Sequence, residues 1–221
     1  MEPQDNKEFI KNLSLRISAA KNQEEFNEIL RQVQKEDEDN VLRHLEPYSY
    51  AWCDQLLDLR SSTERLPGLL EAAPEITTDN FLTLLGKYWD AMDDIGLHIN
   101  ELRKALFDIH QIEYEPLYTM MDPEEVEAFD DLPEDLIVYR GCYENNKFGF
   151  SWSLRREVAE SFPFLMRYRQ TGKPILVTAQ IEKSEAAALK LGRQEEEIIM
   201  FKPPKNFTVT ELKRKKASGK Q

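Results

Sequence analysis

The stretch DLIVYRGC, residues 135–142, is where the texture of the chain changes. Before it, apolar residues fall at helical spacing. From it onward they come in short runs rich in β-branched and aromatic residues. Leu136, Ile137 and Val138 run straight into Tyr139-Arg140-Gly141. A strand that only packs has no use for an arginine at its tip with a glycine behind it. A strand that delivers a cation to an anionic ligand needs the guanidinium and, beside it, a position without a side chain.

Upstream, Phe9, Ile10, Leu13 and Ile17 share a helical face, as do Phe26, Ile29, Leu30 and Val33. EDEDN, residues 36–40, breaks this pattern. A third amphipathic piece with Val41, Leu42 and Leu45 then ends at Pro47. SYAWCDQLLDLR, residues 49–60, predicts another helix, closed by SSTERLPG at 61–68. Thr78 or Asp79 caps a helix whose apolar face holds Phe81, Leu84, Leu85, Tyr88 and Met92. Gly96 marks a break, after which Ile99, Leu102, Leu106 and Ile109 resume the period. Asp122 caps the next helix, with Pro123 at its first position and Glu124 and Glu125 in its first turn.

Downstream, LIVYRG, FGFSWS, PILVTAQIE, EEIIMF and FTVTEL read as strands, with one helix, LRREVAESFPFLMRY at 154–168, among them. Helices first and strands afterwards predict an α+β fold.

Composition bounds the function. At 221 residues the chain has room for one large domain or two modest ones. A net charge of -12 opposes nonspecific binding to nucleic acid, which needs Lys and Arg on phosphates, and leaves a local basic site open. Two isolated cysteines, a polar N-terminus and the lack of any run near 20 apolar residues predict a soluble, cytoplasmic protein without a membrane partner. His44, His98 and His110 show no ligand spacing, so no metal is assigned. Cys142 reads as a small semi-buried residue, and the basic end with Lys213, Arg214, Lys215, Lys216 and Lys220 as a disordered tail.

Two further islands accompany Arg140. In GFSWSLRREVAESF, Ser151 and Ser153 flank Trp152 and a helix follows at once. In RQEEEII, Glu195 and Glu197 lie two apart before Ile198 and Ile199. Residues two apart on a strand share a face, so both carboxylates are expected to meet one cleft, with Glu196 turned away.

A strand-tip Arg, a Ser-x-Ser strand and a Glu-x-Glu strand, in that chain order, resemble the mono-ADP-ribosyltransferases of bacterial exotoxin type. The resemblance covers about residues 76–212. It implies a helical accessory region at 1–75, a catalytic domain at 76–212 with a mixed β-sandwich, and the basic tail at 213–221. It departs from the family pattern at Trp152, where the middle residue is usually Thr; on a strand that side chain is expected to face away from the site.

The resemblance implies NAD as a substrate. Arg140 would hold the diphosphate, Gly141 would let backbone groups approach the nicotinamide amide, and Phe162, Phe164 or Tyr168 would cover the ring. Cleavage of the nicotinamide–ribose bond builds positive charge on the ribose, which Glu197 would stabilise, with Ser151 orienting it. Glu195 would act as general base toward the acceptor. Gln194-Glu195-Glu196 offers a second register, so Glu196 stays an alternative to Glu197. The acceptor is a macromolecule, protein or nucleic acid. Water as acceptor would make an NAD glycohydrolase, and a non-enzymatic binding module is the reading from a different class. A toxin-like enzyme in the cytoplasm also implies an intracellular toxin or phage or anti-phage effector, held by an antitoxin or regulator through the helical N-terminal region.

Overall fold

The computed structural model describes residues 14–192 and 196–213. It falls into two compact units, 1–59 and 60–221. The expected basic tail beyond Lys213 lies outside the described residues.

The first unit is helical. Residues 14–19 form a helical segment and Gln23–Leu42 a long helix, entered through Asn22, whose side chain accepts from the Glu25 amide at 2.9 Å. This helix runs straight through EDEDN, where a break was expected. Glu and Asp carry no backbone penalty of the Gly or Pro kind, and the run faces solvent. Arg16 further ties the two segments by donating to Glu36 at 3.0 Å and Gln32 at 3.0 Å. Tyr50–Leu59 closes the unit, burying Cys53, Leu56 and Leu57.

The second unit begins with Arg65–Ala72, inside the stretch SSTERLPG that was expected to be a connection and upstream of the expected boundary at residue 76. Pro67 is tolerated because it sits in the first turn, where amides have no intrahelical partner. Thr78–Tyr88 follows, capped by Thr77 instead of Thr78 or Asp79, and buries Phe81, Leu84, Leu85 and Tyr88 as its period predicts. A 3₁₀ turn, Trp89–Ala91, continues from it. Pro123–Asp130 starts with the anticipated Asp122 cap, completed by Glu125 reaching back to the Asp122 amide at 3.0 Å.

The strands are β1 (Asp135–Tyr143), β2 (Ser151–Ser153), β3 (Pro174–Glu182), β4 (Ala188–Lys190), β5 (Glu197–Ile199) and β6 (Phe207–Glu211). They form one open six-stranded sheet in the order β4-β5-β2-β1-β3-β6. Every pairing is antiparallel, where a mixed sandwich was expected. Strand β4 carries Ala188-Leu189-Lys190, too short and alanine-rich to read as a strand. The helix after β2 stops at Ser161, because Pro163 cannot continue it, and breaks into 3₁₀ turns at Phe162–Phe164 and Met166–Tyr168. No described helix is long and apolar enough to cross a membrane.

One buried carboxylate fastens the helical part of this unit to the sheet. Glu125 accepts from Lys190 Nζ at 2.6 Å and from the Leu191 amide at 3.1 Å, besides its capping bond to Asp122. Both side chains are almost fully buried, at 7% and 5% exposure for Lys190 and Glu125. Removing one member of such a pair strands the other charge without water. Glu125→Ala should therefore lower unfolding stability by about 3–5 kcal/mol. The double change Glu125→Leu with Lys190→Met should recover most of the loss, as read by urea denaturation.

Candidate functional site

The three sequence islands, 11 and 46 residues apart from Arg140 to Ser151 and from Ser151 to Glu197, arrive on neighbouring strands in the middle of the sheet, β1-β2-β5. Tyr139 pairs with Ser153, and Ser153 with Glu197. Directly opposed residues present their side chains on one face, so Tyr139, Ser153 and Glu197 form a row, extended by Lys190 across from Glu197 on β4. Ser151, expected to orient Glu197, stands opposite Ile199, one diagonal step away. The residue directly facing Glu197 is Ser153. It is buried, and its hydroxyl accepts from the Arg155 amide at 3.0 Å. Trp152 alternates to the other side of the strand, where it is buried opposite Ile198 and its indole N–H donates to the Gly149 carbonyl at 3.1 Å, yet it also lines the cavity over these strands, where it was expected to face away from the site.

A cavity of about 610 Å³ opens over this region, with Arg140, Gly141, Ser151, Ser153, Glu197 and Phe162 all on its wall. Its origin lies in the backbone. The Lys183 amide donates to the Glu134 carbonyl. By alternation, even-numbered residues of β1 point their backbone groups at β3 and odd-numbered ones toward β2. Tyr139↔Ser153 is the single residue pair joining β1 and β2. Beyond it the strands part. The next pair of the ladder, Gly141 with Ser151, does not form, so the Gly141 N–H and C=O open onto the cavity.

Arg140 occupies the breach. Its guanidinium donates from Nη1 to the Ser151 carbonyl at 2.7 Å, and from Nε and Nη2 to the Asn146 carbonyl at 3.3 and 3.1 Å. Three of its five N–H groups are thus committed to backbone, a second duty that the sequence did not suggest. The guanidinium is half-buried: burial lowers its pKa, while its interactions with Cys142 and with the Glu197 carboxylate oppose the shift. Gly149 lies so close that a methyl there would strike Nη2.

Gly141 also serves packing. A methyl on it would collide with the Ala159 carbonyl, so the helix Arg156–Ser161 can approach β1 only because the side chain is missing. Gly141→Ala should cost about 1–3 kcal/mol, measurable by chemical denaturation, through the forced shift of that helix.

Glu197 is the first residue of β5 and half-buried. Its Oε1 accepts from the indole N–H of Trp89 at 2.7 Å. Trp89 comes from the helical stretch, 108 residues away, and no local pattern links the two. Glu196, the alternative register, is exposed and does not line the cavity. Its φ of 46° lies in the left-handed region, uncommon for a residue with a side chain. Strand geometry therefore starts at Glu197. Glu195 and Gln194 lie outside the described residues.

Phe162 and Tyr168 both line the cavity and meet each other at a ring separation of 5.2 Å and a tilt of 31°. Phe164 is half-buried and not on its wall. Among the described residues no group of three or more His, Cys, Asp or Glu is arranged to hold a metal ion.

Cys142 touches the cavity but is buried, and burial pushes its thiol up to about 11, against the opposing pull of Arg140. Burial does the same to Cys53, also to about 11. Both are neutral thiols at physiological pH, which argues against a nucleophilic Cys142. Unfolded thiols ionise near 9.0. Between that value and 11 the folded state holds more protons, so the thiol contribution to stability is complete below pH 9 and falls as pH rises. A disulfide reagent at pH 8 should leave both thiols of the native protein almost unmodified and react with both once urea is added.

No family model matches the sequence, and neither a curated protein nor a solved structure matches it.

Proposed function

We propose that the chain is a mono-ADP-ribosyltransferase that cleaves NAD and transfers ADP-ribose to a macromolecular acceptor. The observation that carries this reading is the meeting of Arg140, the Ser151–Ser153 strand and Glu197 on three adjacent strands around one cavity. These are the residues, in the order, that the resemblance named from sequence.

The chemistry follows from charge. Arg140 gives three N–H groups to Asn146 and Ser151 and also bonds the Cys142 side chain, and its cationic edge on the cavity wall would meet the diphosphate. The unpaired backbone of Gly141 offers one donor and one acceptor, the complement of a primary carboxamide. Phe162 and Tyr168 supply an aromatic wall for the nicotinamide ring. With the ring placed there, the carboxylate of Glu197 faces the ribose. As the C–N bond breaks, the electron pair leaves with nicotinamide and positive charge gathers on the ribosyl carbon, where an oriented carboxylate is most effective. The acceptor nucleophile then closes on that carbon.

The test is incubation of a lysate with labelled NAD, followed by protease and nuclease digestion of the labelled material. Label released by one digestion assigns the acceptor class. Free ADP-ribose alone would make the enzyme a glycohydrolase, and intact NAD would overturn the reading. Glu197→Gln keeps the shape and removes the charge, so turnover should fall about a hundredfold or more. Arg140→Lys keeps a charge but cannot span two carbonyls and a phosphate. It should raise the Kd for NAD, measured by calorimetry, more than it lowers the bond-breaking rate.

A further inference from the structure

We infer that Trp89 is the positioning residue for Glu197: its indole N–H aims the carboxylate into the cavity and holds it ionised. The inference deepens the reading above and rests on it for the reaction concerned. Its own observation is the 2.7 Å bond from Trp89 Nε1 to Glu197 Oε1, made by a residue outside all three strand motifs.

The surroundings leave the indole one orientation. Trp89 is 2% exposed, locked in the 3₁₀ turn that ends the Thr78–Tyr88 helix. Its ring meets Phe201 edge-on at 6.4 Å. Phe201 is itself packed edge-on by Phe150 at 5.2 Å and Phe107 at 6.5 Å. A rigid, buried N–H must find an acceptor, and a carboxylate that accepts it is favoured in its charged form. The next residue, Asp90, lies near the same connection. A methyl on Gly192 would collide with the Asp90 carboxylate, so Asp90 lies against the chain where it leaves β4 and Trp89 holds it where it enters β5. The turn Trp89–Ala91 therefore lies against the chain at Gly192 and bonds it at Glu197.

Other titratable groups surround Glu197 as well. Lys190 stands beside it on β4 but is committed to Glu125. Arg140 on β1 couples electrostatically to Glu197, and Tyr139, Cys142, Asp90, Asp93, Asp94 and Tyr168 line the same cavity. The three aspartates add acidic side chains to the same wall, which makes a neutral donor aimed at Glu197 the more consequential.

The test replaces Trp89 by Phe and, as a second variant of the same shape, by benzothienylalanine, which exchanges the N–H for sulfur. Two readouts are taken: the pH profile of kcat with NAD, and the titration of the Glu197 carboxyl by carbon NMR. Both variants should raise the carboxyl pKa and the acid limb by about one to two units. They should lower kcat about tenfold or more, with KM for NAD within about twofold. An unshifted carboxyl in a folded variant overturns the inference, and so does parallel loss of kcat and NAD affinity with an unshifted acid limb, which would mark a purely structural tryptophan. Wild-type protein that leaves NAD intact overturns the functional reading instead, and the carboxyl titration, which needs no NAD, still decides whether Trp89 holds the charge of Glu197.

Discussion

Everything at the site depends on the parting of β1 from β2 after Tyr139↔Ser153. A continuous ladder would have consumed the backbone of Gly141 and Ser151 and left no cavity. The parting leaves main-chain carbonyls in need of donors, and Arg140 meets that need with Ser151 and Asn146. The guanidinium stabilises the breach and stands at its edge with charge to spare. Glycine is required on both sides, at Gly149 for room beside the guanidinium and at Gly141 for the helix behind the strand.

A second constraint acts on the row Tyr139, Ser153, Glu197, Lys190. An opposed lysine and glutamate would ordinarily pair with each other. Glu125 removes Lys190 from that choice by holding its ammonium at 2.6 Å in a buried network with the Met120 carbonyl. Glu197 is left with a donor of no net charge, Trp89, among its partners. The capping box of Pro123–Asp130 thus does more than begin a helix: its glutamate closes the helix start, secures the edge strand β4 and keeps a cation off the neighbouring carboxylate.

Much of this was legible in the chain. The period of Phe81, Leu84, Leu85 and Tyr88 predicted the helix and its buried face, because packing of an apolar stripe is a local property. Asp122-Pro123 announced its helix for the same reason, and PILVTAQIE matched β3 to the residue. Errors gathered where local pattern and tertiary context disagree. EDEDN reads as an interruption, but its charges only need solvent on one side. Ala188-Leu189-Lys190 was not among the strands read from the sequence, but pairing with β5 and the buried Glu125 make it one.

The sequence by itself determined the α+β order, the serine strand and the apolar strand behind Glu197, since each is written in residue type and short-range spacing, whereas Arg140, read as a strand tip, lies inside β1, three residues before its end. It also determined that Trp152 faces away from Ser151 and Ser153, because alternation is intrinsic to a strand. Only the tertiary structure decided that Ser153 and not Ser151 opposes Glu197, because register depends on where two strands meet. Likewise it decided that Glu197 begins β5 while Glu196 takes a left-handed turn, and that Arg140 bonds backbone across a breach. The Trp89–Glu197 bond is the extreme case. Its partners are 108 residues apart, neither lies in a shared motif, and their meeting is set by how an aromatic cluster packs a helix end against a sheet.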